Sequence, residues 1–69
     1  MIRMRTKFAD YEIRNMREDA MTVLNMFGAI LKELEGPYVS PRYIGEKITK
    51  ARYCLDYITS CVFQEEDHD

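Results

Sequence analysis

Apolar residues recur along this chain at alternating steps of three and four, in two long runs. The first is Ile13, Met16, Ala20, Val23, Phe27, Ile30 and Leu34; the second is Ile44, Ile48, Ala51, Leu55, Ile58 and Val62. That spacing places each run on one stripe of an α-helix. Between the runs lies Gly36-Pro37-Tyr38-Val39-Ser40, long enough only for a reversal. The pattern predicts an all-α fold, an antiparallel helical hairpin with its stripes in contact. A single domain over residues 1–69 is expected, with an arm at 1–9 that starts as a strand or irregularly, a helix over about 11–35, a turn at 36–40, a helix over about 41–64 and an acidic tail at 65–69.

Local signals set these bounds. Asp10 is a candidate N-cap, and Glu12 adds negative charge at the positive end of the helix dipole. Gly36 offers a left-handed residue to end the first helix, and Pro37 prevents its continuation. Ser40-Pro41 opens the second, with the hydroxyl as cap and proline where a missing amide hydrogen is no loss. Gly28 falls inside the first helix, where it costs about 1 kcal/mol relative to Ala. Such a glycine suggests close approach of another backbone, here a second subunit.

Beside each stripe runs a second apolar flank: Leu24, Met26 and Leu31 on the first helix, Cys54, Tyr57, Cys61 and Phe63 on the second. A chain of 69 residues buries only about 60% of its unfolded surface, and a two-helix hairpin does worse. Covering four such side chains would contribute roughly 1.5–3 kcal/mol each. The flank therefore predicts a homo-oligomer, with Leu24, Gly28, Leu31, Cys54, Tyr57 and Cys61 at the interface. A third short helix from the N-terminus, folded over the hairpin, is the alternative.

The formal charge of −2 gives no strong field to attract nucleic acid or an anionic membrane. Charge is nevertheless uneven: Arg3, Arg5 and Lys7 open the chain, whereas Glu65, Glu66, Asp67 and Asp69 close it. Solvated tails are the plain reading; a basic arm reaching an anionic ligand or a neighbour's acidic tail is the sharper one. No apolar run approaches the roughly 20 residues that span a bilayer, and no signal-peptide core follows the start. A cytoplasmic protein is expected, without membrane or DNA partners. Cys54 and Cys61 stand seven apart on one helix, about 10 Å between Cα atoms, too far for a disulfide. They read as buried free thiols; neither a metal site nor a cofactor is expected, since the one histidine, His68, lies in the tail.

No nucleophile has a histidine that folding could bring beside it, and no glycine-rich phosphate loop exists. Acid pairs such as Glu18 with Asp19, or Glu33 with Glu35, read as solvated charges. The chain is therefore expected not to be an enzyme. The start of the second helix is richer: Arg42, Tyr43, Lys47 and Lys50 cluster where free amides and the helix dipole favour an anion. Tyr43 offers a face for a base to stack on. A solvated lysine face with tyrosines covering the hairpin explains the same residues structurally. Helix-turn-helix binding of DNA fits poorly, because Glu46 and Asp56 interrupt the basic residues.

Ser40-Pro41-Arg42-Tyr43-Ile44-Gly45-Glu46-Lys47-Ile48-Thr49-Lys50, followed by Leu55, Ile58-Thr59 and Val62, resembles the second helix of small phage proteins that sequester the cyclic oligonucleotide signals of CBASS immunity. Arg5-Thr6, the acidic stretch from Asp10 to Glu12, Ile13, Phe27-Gly28-Ala29-Ile30-Leu31 and Glu33-Leu34 resemble that family's first helix, so the likeness covers about residues 5–62. It implies a helical protomer assembling into a hexamer, in the host cytoplasm, with cyclic dinucleotides in pockets between protomers and, in some members, cyclic trinucleotides at a separate site. Arg42 would contact phosphate, Tyr43 would form an aromatic wall, and Arg5, Tyr11, Lys47 and Thr49 complete the implied ligand-binding set. Members tend to carry an aromatic beside the early arginine and a lysine midway along the first helix; here stand Met4 and Glu18-Asp19-Ala20. Tyr11 is the candidate replacement for the missing aromatic. The competing reading is a helical protein-binding module, a phage inhibitor or adaptor that docks a host protein on its apolar flank.

Overall fold

The computed structural model describes residues 2–65. Strand β1 (Ile2–Met4) leads into helix α1 (Asp10–Glu35); helix α2 (Pro41–Val62) returns antiparallel to it and passes directly into strand β2 (Phe63–Glu65). The helical hairpin is thus present, with helices of 26 and 22 residues. Among the described residues no third helix covers it. Instead the arm forms a strand that pairs antiparallel with β2, with Arg3 opposite Gln64 and Met4 opposite Phe63. The second helix therefore stops at Val62, and Gln64 and Glu65 belong to this two-stranded ribbon. The rest of the expected acidic tail, 66–69, lies outside the described residues. No described helix is long and apolar enough to cross a membrane.

Helix ends follow local chemistry with two departures. The cap of α1 is Ala9, one residue earlier than expected, and Ala9 has no oxygen with which to cap. Glu12 does that work from inside: its Oε1 accepts from the Ala9 amide at 2.9 Å, half of a capping box. At the other end Gly36 is extended, with φ −81° and ψ 169°, not left-handed. Pro37 is the reason, since a residue before proline is pushed toward extended backbone. The Gly36 amide still donates to the Glu33 carbonyl at 3.2 Å.

The seam between the helices is rotated from the expected stripe. Met16, Val23 and Ile30 do turn inward, but Ile13, Phe27 and Leu34 stay largely in solvent, as do Ile48 and Leu55 on α2. Inward positions are taken instead by the heptad Glu12, Asp19, Met26, Glu33, facing Ala51, Cys54, Tyr57, Ile58 and Cys61. Its two terminal carboxylates explain the rotation. Glu12 is 9% exposed and binds Arg5, while Glu33 Oε2 accepts from the Ser40 amide at 2.9 Å. Twenty-one residues separate them, three whole heptads, so both lie on one stripe. Pinning that stripe toward α2 displaces the neighbouring heptad of Ile13, Ala20, Phe27 and Leu34 outward. Cys54, Tyr57 and Cys61, expected at an oligomer interface, sit between the helices of one chain. Asp19, expected to be solvated, is half-buried there too.

The resulting core is thin. Ala51 and Cys61 are its only fully buried apolar residues among those described, and the molecule measures 54 × 26 × 13 Å along its principal axes. A thickness of 13 Å is one layer of helix.

Candidate functional site

The basic and aromatic residues gather at the turn end of the slab. Ser40 Oγ accepts from the Tyr43 amide at 3.2 Å, its backbone is extended, and Pro41 occupies the first helical position. The Ser40 carbonyl takes the Ile44 amide at 3.1 Å. Pro41 has no amide hydrogen, so the Arg42 amide is the donor that this first turn leaves for a ligand. No acidic residue lies in that turn to cancel the positive end of the dipole.

Arg42 and the Tyr43–Lys47 pair share this end of α2 on two sides of the helix, about 100° to 140° apart. The Arg42 side chain is 92% exposed and makes a loose pair with Glu46, Nε to Oε1 at 3.4 Å. A surface pair at i and i+4 is worth at most about 0.5 kcal/mol, so the guanidinium can exchange Glu46 for a stronger anion. Lys47 Nζ lies 5.0 Å from the centroid of the Tyr43 ring, a cation over an aromatic face. The ring is about one-third exposed. Lys50 follows one turn later on the same side of α2, at a spacing that keeps it in register with Tyr43 and Lys47.

The other expected ligand residues are elsewhere. Thr49 lies two turns farther along α2 than Arg42, on Arg42's side of the helix and not on Lys47's, and its hydroxyl donates to the Gly45 carbonyl at 2.8 Å. Tyr11 is exposed at the start of α1; because the helices are antiparallel, that is the opposite end of the slab, about 30 Å away at 1.5 Å per residue. Arg5 is at that end as well and is fully engaged. Both of its terminal nitrogens donate to the Glu12 carboxylate, one of them at 3.0 Å and that to Oε1; the other also reaches the Cys61 carbonyl at 3.5 Å. Its backbone amide donates to the Val62 carbonyl at 2.8 Å, and its guanidinium stands 5.4 Å from the Phe8 ring. Arg5 ties β1, α1 and α2 together.

This Arg5–Glu12 clamp holds the carboxyl of Glu12 below its ordinary range, chiefly by the arginine hydrogen bonds and then by the Ala9 amide. Nothing in the sequence marks it as a cap, because the expected Ser, Thr, Asp or Asn is absent at Ala9. On the broad face that carries Tyr43, but about 20 Å farther along α2, Asn15 Nδ2 donates to the Tyr57 hydroxyl at 3.5 Å, joining the two helices. Cys54 and Cys61 are free thiols, and among the described residues no cluster of His, Cys, Asp and Glu is arranged to hold a metal ion.

The arrangement can bind an anion beside an aromatic surface. Comparison with known protein families, with curated proteins and with solved structures finds no match for this chain.

Proposed function

We propose that the protein is a non-enzymatic binding protein that sequesters a cyclic di- or trinucleotide, in the manner of the phage anti-CBASS sponges that its sequence resembles. The observation that carries the reading is the Tyr43–Lys47 pair in the first turns of α2, at the same helix end as the exposed Arg42 side chain with its loose contact to Glu46. A cyclic oligonucleotide presents phosphodiester anions next to bases, and this cluster sets donors and cations next to an aromatic face. Arg42 and Lys50 meet phosphate, and Tyr43 stacks on a base. Lys47, already over the ring, contributes charge to either.

A slab one helix thick supplies one wall of a pocket, so the ligand is enclosed between copies. Tyr11, at the opposite end of its own chain, can line that pocket only from a neighbouring copy. Arg5 is left out of the site, because releasing it would leave the Glu12 carboxylate unpaired.

Native mass spectrometry of the full chain with a panel of cyclic di- and trinucleotides tests the proposal. Stoichiometric gain of nucleotide mass, lost or weakened in Arg42→Ala/Tyr43→Ala, is the expected result. Base stacking on an aromatic is worth about 1–3 kcal/mol, so the tyrosine alone accounts for a loss of about 5- to 150-fold. A wild-type protein that gains no nucleotide, or a double variant that binds as tightly, overturns the assignment.

A further inference from the structure

The outward rotation of Ile13, Ala20, Phe27 and Leu34 creates a second heptad seam on α1. With Arg17, Leu24 and Leu31 it reads 13, 17, 20, 24, 27, 31, 34, in steps of four and three over about six helical turns, all exposed. At about 100° per residue these positions lie roughly 100° around α1 from the stripe that faces α2. Ile48 and Leu55 lie to the same hand of α2's inward stripe. In an antiparallel pair, equal rotations of that hand emerge on one side, so both sets share one broad face. The tyrosine and lysine cluster is on the other.

Phe27, Leu31, Leu34 and Leu24 are 54–65% exposed, and Ile13, Ile48 and Leu55 42–46%. Together they leave on the order of 600 Å² of apolar surface in one patch, at the upper limit for soluble monomers. Two such patches brought together bury about 1,200 Å², the area at which stable, specific interfaces begin. We infer that this face is covered by a second copy of the chain, α1 packing antiparallel on its partner's α1 to make a two-layered, four-helix dimer.

Charge selects the direction. Arg17 is the one charged residue within the α1 seam; Arg52 holds the matching place between Ile48 and Leu55 on α2. Parallel pairing would set the two Arg17 guanidinia against each other, whereas antiparallel pairing carries each to the end of the partner's α1 that holds Leu31 and Glu35. Arg17 and Glu35 are eighteen residues apart, five whole turns, and so lie on the same rim of the helix. The dimer stands independently of the nucleotide reading, since its face is opposite the Tyr43 cluster.

Sedimentation equilibrium of the full chain at micromolar concentration is the test. Without nucleotide the expected mass is twice the 8.2 kDa of one chain; Leu24→Lys/Leu31→Lys should weaken association by about 100-fold or more. Arg17→Glu should weaken it several-fold with helix content intact, and Arg17→Glu/Glu35→Arg should restore it. A wild-type monomer overturns the dimer and leaves the face to a foreign partner. Association indifferent to the two lysines overturns the choice of face, and failure of the charge exchange to restore association overturns the antiparallel arrangement.

Discussion

Replacing Gly28 by alanine should stabilise this protein, and the reason is geometric. Gly28 lies on the outer edge of α1, away from α2 and at the border of the exposed seam, and a Cβ built there meets nothing within 4 Å. Its helix is regular on both sides, so alanine adopts the same backbone without strain. The substitution removes conformational freedom from the unfolded chain and adds no clash; in a helix interior it is worth about 1 kcal/mol. With a urea slope of about 1–3 kcal/mol per M, the unfolding midpoint should rise by about 0.3–1 M. For a domain of this size the melting temperature should rise by about 4–8 °C. Both must be read at one protein concentration, because self-association of the kind inferred above would add its own stability. Gly45, equally open on the outer edge of α2, should respond alike, and the two changes should add. Were Gly28 the point where another subunit's backbone presses close, alanine would instead lower both stability and association. A fall in either refutes the open-edge reading.

Ala51 presents the opposite case: it is 4% exposed where the helices approach, so Ala51→Leu should force them apart and cost about 1–3 kcal/mol in urea unfolding. The Arg5–Glu12 clamp should make stability acid-sensitive. Glu12's folded pKa is depressed, so its contribution is complete above the ordinary glutamate value of about 4.3 and is lost as pH falls through the lowered folded value. Glu12→Gln should therefore melt lower than wild type at pH 7, with the gap closing in acid; a gap independent of pH would refute the clamp.

The hairpin was legible because its signals are local. Ser40-Pro41 and the apolar periods gave α2 its start and α1 its extent to within a residue. Rotation of the seam was not legible, because Glu12 and Glu33 look like solvated acids until the chain supplies Arg5 and the Ser40 amide. The strand pairing was hidden for a related reason: Ile2 and Glu65 meet across nearly the whole chain, and three-residue strands carry no period of their own. Gly36 shows a stronger rule winning, since proline after it dictated extended backbone. At the site, Arg42, Tyr43 and Lys47 are neighbours on one helix and were readable as a group. Arg5 and Tyr11 depend on tertiary placement, which took both away from that group, whereas helical periodicity alone sets Thr49 on the opposite side of α2 from Lys47.

The strand pair also makes this chain nearly a ring. Its turn and helices need only contacts between residues close in sequence, whereas joining Met4 to Phe63 means closing a loop of about sixty residues. The entropic cost of closure grows only logarithmically with length, so the join is tolerable once the helices stand side by side, but it must wait for them. Folding should accordingly run from the hairpin's turn outward and finish by zipping the ribbon. Opening should run in reverse, with the β1 and β2 amides exchanging with solvent long before those around Ala51.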